Sequence, residues 1–310
     1  MKPIQSILAV VDPTTDVYPA AEHACNLASQ LGATVELFIC DYDQYLSGER
    51  FFDTKGLSKA REHLIERHKK NLQTIANSLK EKGCKVTTDA RWDYPLADGI
   101  LRKASESKCD LLVKETHYHN VLKRSVFSNT DWELIRGCES PLLLTKHDTM
   151  MDKPSIIAAV DPVHDKDKPA RLDYEILNQA AALAKSTNGS LHIFHSYDPA
   201  PAYAVSADSM AFPISAPVRE IAEGLKRQHE TAMNELLQRW KTDIDYSIHL
   251  IEGDVRHSLL ELIEEVNADI VTMGAVSRNA LKRLFLGSTA EQILDHVPCN
   301  LLIVKTPAES

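Results

Sequence analysis

Short, continuously apolar runs alternate with longer segments of mixed polarity along the whole chain. The first run is Ile7–Val11, followed by an Ala-rich, helix-like stretch, Ala20–Leu31, and a β-rich run, Thr34–Cys40. After an irregular stretch comes a long charged segment, Ser58–Lys82, in which Leu64, Leu72, Ile75 and Leu79 fall on a helical period. A third run (Lys85–Ala90), a short helix (Leu96–Ser105), a fourth run (Leu111–Val113), a last helix and a last run (Leu142–Thr145) complete the series. The same order then recurs. It passes through Ile156–Val160, Ala170–Ser186, Leu191–His195, Val218–Trp240, Tyr246–Ile251, Arg256–Val266 and Ile270–Met273 to Leu301–Val304. Runs that are apolar at every position are expected of strands covered on both faces. Strict alternation of strand and helix predicts, in each half, a doubly wound, parallel, five-stranded α/β sheet of Rossmann-like type with right-handed crossovers.

The recurrence extends to identical residues. Residues 6–13 read SILAVVDP and residues 155–162 read SIIAAVDP. The 37 residues from Asp110 align without a gap on those from Asp269 and share N-x-L-K-R at Asn120–Arg124 and Asn279–Arg283. The offset is 149 at the start and 159 at the end, so the second copy carries about ten extra residues in between. The polar linker at residues 147–154 predicts domains at 1–150 and 151–310, a division that suits a chain of 310 residues.

Charge and composition narrow the function classes. Acidic residues outnumber basic ones 44 to 35, for a net charge of −9, the wrong sign for a surface that neutralises nucleic-acid phosphates. The N-terminal apolar run is too short for a signal-peptide core, and no stretch approaches the ~20 apolar residues of a membrane span. The six cysteines are scattered with no C-x-x-C pair, as expected of reduced thiols. Together these predict a cytoplasmic protein.

The candidate chemistry lies in the second half. Ligands of open α/β sheets bind at the carboxyl ends of strands. Here the fourth strand ends at Met273 and continues as Gly274-Ala275-Val276-Ser277, nine residues, then Gly287-Ser288-Thr289. Small residues let backbone approach a bound group, and glycine can supply the φ > 0 that turns successive N–H groups into one concavity. A helix opening at Gly287-Ser288-Thr289 would favour an anion. The plainer alternatives are a tight turn at Gly274 and capping boxes at Ser288/Glu291 and Thr289/Gln292. The loop is neither a Walker sequence nor G-x-G-x-x-G.

Gly274, Gly287 and Ser288 resemble the universal stress protein family, whose members carry Gly, two residues, Gly, nine residues, then Gly-Ser/Thr in this place. Ser277 departs from that pattern, since the family usually has glycine there. The V-D-P at Val160–Pro162 is similar to the family's first strand, and His195-Ser196 stand where its second strand often ends in His-Val. Thr130-Asp131-Trp132 and Cys138–Pro141 resemble a tandem subtype. The resemblance implies an adenine-nucleotide alpha hydrolase-like fold, arranged as an internal pseudo-dimer with the option of a further homodimer. It implies a stress-response role and other stress proteins as partners. It also implies ATP or a related adenine nucleotide, with or without Mg²⁺. The implied binding residues are Ala159, Val160, Asp161, Ser196, Met273, Gly274, Ser277, Arg278, Gly287, Ser288 and Thr289. No catalytic residue is expected, and at most a slow ATPase.

The first half lacks this pattern. Glu115, Tyr118, Ser128 and Asn129 replace Gly274, Ser277, Gly287 and Ser288, so a carboxylate and an aromatic ring stand where phosphates would lie. That half is expected to serve structure alone, with Asp12 closing a turn before proline. His117 and His119 could ligate a borderline metal or be ordinary polar residues. The Ala/Pro/Ser-rich stretch 198–217, with Tyr203, Met210 and Phe212, is a packing surface or one wall of an apolar pocket whose other wall is Tyr42–Phe52. Two rivals to a nucleotide sensor follow: a scaffold that needs no nucleotide, and a binder of a lipid-like metabolite.

Overall fold

A computed structural model describes residues 4–47, 54–119, 124–146, 153–163, 171–200, 216–275 and 296–306. The chain divides into two compact units, one of Met1–Asp152 with Asn300–Ile303 and Pro307–Ser310, the other of Lys153–Cys299 with Val304–Thr306.

In the first unit, strands β1 (Ser6–Val10), β2 (Thr34–Asp41), β3 (Val86–Trp92), β4 (Leu111–Glu115) and β7 (Leu142–Thr145) form a parallel sheet in the order β3-β2-β1-β4-β7. Leu8, Ala9, Leu37, Phe38, Leu112 and Val113 are fully buried, the burial on both faces that their unbroken apolar runs require. Helix α1 (Pro19–Leu31) starts with Pro at its first position and ends on Gly32 at φ 68°, a left-handed cap that glycine adopts without strain. Its buried face is largely alanine, which brings the helix close to the sheet. Helices α2 (Thr54–Glu81), α3 (Leu96–Ser107) and α4 (Asn129–Gly137) complete the crossovers. A small hairpin, β5 (His117–His119) with β6 (Arg124–Val126), follows β4.

The final run, β12 (Asn300–Val304), adds an antiparallel contact to otherwise parallel strands, pairing with β7 and matching Leu301 to Leu144 and Ile303 to Leu142. A parallel β7 edge with apolar side chains on both faces is covered this way, and its unpaired backbone groups are satisfied. The buried Asn300 side chain fixes the pairing by accepting a bond from Lys146 N–H at 2.8 Å.

The second unit repeats the plan with β8 (Ser155–Ala159), β9 (Ser190–Tyr197), β10 (Ser247–Glu252) and β11 (Ile270–Gly274) in the order β10-β9-β8-β11. The printed registers of β10 on β9, β9 on β8 and β11 on β8 are all parallel. Its helices are α5 (Leu172–Thr187), α6 (Ala216–Arg239) and α7 (Val255–Glu265). Asn188 closes α5 in the left-handed region. The next residue, Gly189, lies so near Pro154 that a Cβ would come within 2.2 Å of its carbonyl oxygen.

The duplication also appears in matched bonds. Asp110 accepts from Gln5 N–H and Ser6 N–H at 2.9 and 3.0 Å, and Asp269 accepts from Ser155 N–H at 2.8 Å. Each carboxylate pins the start of the first strand of its own copy.

Candidate functional site

The end of β8 is held by a set of bonds to its neighbours. Val160 N–H donates to the Phe194 carbonyl at 3.0 Å, and the Val160 carbonyl accepts from His195 Nδ1–H at 3.1 Å. Asp161 N–H donates to Asp173 Oδ1 at 3.1 Å, a buried carboxylate in the first turn of α5. These bonds leave the Asp161 side chain nearly half exposed at 45%. Its Oδ1 lies 4.0 Å from His195 Nδ1.

His195 is buried, and burial pushes its pKa below the ordinary imidazole value, against the opposing pull of Asp161. Its far nitrogen, Nε2, meets His229 Nδ1 from α6 at 2.7 Å. The two rings are 23° from parallel with centroids 5.0 Å apart, so the nitrogens meet nearly head-on. Tyr197 covers the His229 ring at 5.3 Å and sends its hydroxyl to Glu252 at 3.2 Å.

Three hydroxyls of this sheet, Ser155 Oγ at the start of β8, Ser196 Oγ near the end of β9 and Thr272 Oγ1 in the middle of β11, are buried and make no hydrogen bond to the described residues. An orphaned buried hydroxyl is unfavourable by about 1–3 kcal/mol, so such atoms mark places where a partner of another kind fits. Met273 is buried beside Thr272, and Ala275 N–H donates to the Val304 carbonyl at 2.9 Å.

Ala159, Val160, Asp161, Ser196, Met273 and Gly274 therefore lie at the carboxyl ends of three adjacent strands, β9, β8 and β11. Ser277, Arg278, Gly287, Ser288 and Thr289 lie outside the described residues. Gly274 has a different physical reason from the one expected. Its φ is not positive, and a Cβ there would approach Leu172 Cδ2 to 2.6 Å and Cγ to 2.8 Å. The absent side chain makes room for the start of α5.

At the matching place the first half is filled by its own groups. Ser128 caps α4, with its hydroxyl accepting from Asp131 N–H, while Asp131 Oδ2 accepts from Ser128 N–H at 2.8 Å. Asp131 Oδ1 pairs with Lys114 Nζ at 2.7 Å, and that ammonium also donates to the Glu115 carbonyl at 2.9 Å. A buried carboxylate thus sits at the helix N-terminus, the position that favours an anion. The gapless repeat replaces Lys114 and Asp131 with Met273 and Ala290. Asp12 closes its own turn, accepting from Thr14 N–H at 2.8 Å and Thr14 Oγ1 at 2.6 Å. His117 and His119 belong to the hairpin, but their side chains lie outside the description. Among the described residues no group of three metal-ligating side chains comes together.

Sequence reasoning passed over His229, Asp173, Leu172 and the Lys114–Asp131 pair. A signal for His229 was present. The buried positions His68, Leu72, Ile75, Ala76 and Leu79 of α2 have the same spacing as His229, Met233, Leu236 and Leu237 of α6 and Trp240 just beyond it. In the first half His68 Nε2 meets Asp41 Oδ2 at 2.7 Å, so each copy places one helical histidine against the end of its second strand.

A duplicated, mostly parallel α/β unit with its polar residues gathered at strand ends defines a known class. The sequence pattern of the universal stress protein family matches residues 3–146 and again 162–305, and the chain belongs to that family as a tandem of two such domains. It is similar to Universal stress protein E of Photorhabdus laumondii, 27% identical over 303 residues that cover 97% of this chain and 95% of the relative. Among solved structures, a functionally unknown protein from Pseudomonas aeruginosa matches with TM-score 0.71 and 22% identity over 98% of this chain and 93% of its own. A universal stress protein from Archaeoglobus fulgidus matches with TM-score 0.70 and 16% identity over 97% and 98%. These two likenesses establish the fold.

Proposed function

We propose that the chain is a stress-responsive regulatory protein that binds one adenine nucleotide, ATP or a close relative, in its second half. The observation that carries this reading is the strand-end cluster of Asp161 and Ser196. There a half-exposed carboxylate and a buried hydroxyl that bonds none of the described residues lie at the ends of neighbouring strands. Asp161 would accept from ribose hydroxyls, Ser196 would bond the base edge, and Met273 would supply apolar contact. Phosphates would fall to the loop from Gly274 to Thr289, where Ser277, Arg278, Gly287, Ser288 and Thr289 are the expected contacts. The residues present fit a nucleoside, and nothing among them singles out Mg²⁺.

The regulatory role is the reading that membership of the universal stress protein family supports: a protein that binds a nucleotide and answers to stress acts as a sensor. No helix among the described residues is long and apolar enough to cross a membrane. With six scattered cysteines and no C-x-x-C pair, a cytoplasmic setting is the one we propose.

Equilibrium dialysis with radiolabelled ATP tests the reading. Wild type should bind, and Asp161→Ala should weaken binding about tenfold, the loss of roughly one charge-assisted bond. Equal affinity in the two proteins would remove Asp161 from the site.

A scaffold that needs no nucleotide is favoured by one observation, the first half itself. Its Lys114–Asp131 pair shows that this architecture stands with its phosphate position filled from within.

A further inference from the structure

The His195–His229 pair lies directly beneath the Val160–Asp161 strand end, and hydrogen-bond logic determines its proton positions. A carbonyl only accepts, so the 3.1 Å contact with the Val160 oxygen requires a proton on His195 Nδ1. In the neutral ring Nε2 is then the acceptor, and His229 Nδ1 must be the donor across the 2.7 Å contact. The chain of bonds runs from His229 through His195 to the Val160 carbonyl. It holds the peptide that presents Asp161 from one side, while Asp173 holds the Asp161 N–H from the other.

Among the described residues, four groups face this pair. Asp161 stands at the end of β8 and Asp173 in α5, and both carboxylates favour a cation at His195. From β9, Tyr197 covers the His229 ring and links to Glu252 of β10 through its hydroxyl. Burial outweighs the carboxylates and keeps His195 neutral near pH 7. When an added proton comes to rest on His195, His229 Nδ1 becomes the acceptor across the 2.7 Å contact, and the cation then lies 4.0 Å from the Asp161 carboxylate, which would draw that carboxylate inward and away from a bound ribose.

We propose that His229 is a positioning residue that acts through His195 on Val160 and Asp161, and that it links nucleotide affinity to a proton. The inference rests on the nucleotide reading above. By linkage, a nucleotide that prefers the neutral pair must lower the pair's proton affinity by the same factor. Affinity is therefore full above the pair's pKa and falls as pH drops through it.

ATP binding by the full chain at pH 7.5 and pH 5.5 tests this, with wild type, His229→Gln and His229→Phe measured side by side. ATP's own titration is common to all three, so ratios between proteins isolate the protein's contribution. Wild type should bind severalfold more weakly at pH 5.5 than His229→Gln does, because its pair takes up a proton that the nucleotide must displace. Glutamine can donate to His195 Nε2 but does not titrate, so it should keep wild-type affinity at pH 7.5. Phenylalanine fills the space without donating and should weaken binding at both pH values. If His229→Gln follows the wild-type pH course, or His229→Phe binds as wild type at pH 7.5, the inference fails while the nucleotide reading stands. If wild type binds no ATP at pH 7.5, the nucleotide reading fails and takes the inference with it.

Discussion

The two halves place the same strand ends in different chemical states. In the first half two carboxylates near the position of the phosphate loop are answered from within. Asp131 meets Lys114 and the α4 cap, and Asp12 meets Thr14. In the second half Met273 and Ala290 replace that ion pair, Asp161 stays half exposed, and Ser196 and Thr272 keep hydroxyls that bond none of the described residues. Unsatisfied buried polar atoms are costly, and a fold that needed only stability would close them as the first half has done. On the proposed reading, one copy fills these positions from within, while the other leaves the Ser196 and Thr272 hydroxyls for a ligand. The repeated helical histidine shows the same divergence, since His68 meets a carboxylate and His229 meets another imidazole.

The largest effect should come from breaking the closure of the first half. Lys114→Met leaves Asp131 as a buried, unpaired carboxylate, and stability to urea should fall by about 3 kcal/mol. The double change Lys114→Met with Asp131→Ala installs the second half's residues and should recover most of that loss. If the single variant is as stable as wild type, the pair does not hold this region closed.

Next in size is Gly274→Ala, which forces a Cβ against Leu172. Overpacking of this kind should destabilise by about 1–3 kcal/mol, and Leu172→Ala in the same chain should cancel part of it in a double-mutant cycle. Strict additivity would contradict the packing role of Gly274.

The smallest effect on stability should be Ser196→Ala. Removing a hydroxyl that bonds none of the described residues should leave urea stability within about 0.5 kcal/mol of wild type or raise it, while ATP affinity falls severalfold. A loss of stability with unchanged affinity would assign Ser196 to the fold alone.

Much of this contrast was visible in the sequence, and the parts that were not have physical reasons. The strands were legible because Ile7–Val11 and its counterparts are apolar at every position, which only a doubly covered strand explains. The antiparallel contact of β12 with β7 was not, because Leu301–Ile303 present apolar side chains to both faces and would pair either way. Asp161 and Ser196 were named from the family resemblance, and the structure places them at neighbouring strand ends. Gly274 was read as a loop residue that brings backbone to a ligand or supplies a positive φ; its φ is not positive, and its lack of a side chain makes room for Leu172. The neighbour that needs its space, Leu172, is about a hundred positions away in sequence and close only in the fold. His229 was hidden because a buried histidine on an apolar helical face looks like an ordinary core residue until its partner on β9 is known.

The central claim is that one half binds and the other does not, and the ligand released from the purified chain tests it most directly. Denaturation followed by mass spectrometry with quantification should recover about one adenine nucleotide per chain from wild type, and none from Gly287→Asp. Two nucleotides per chain, or none even after incubation with excess Mg·ATP, would contradict it.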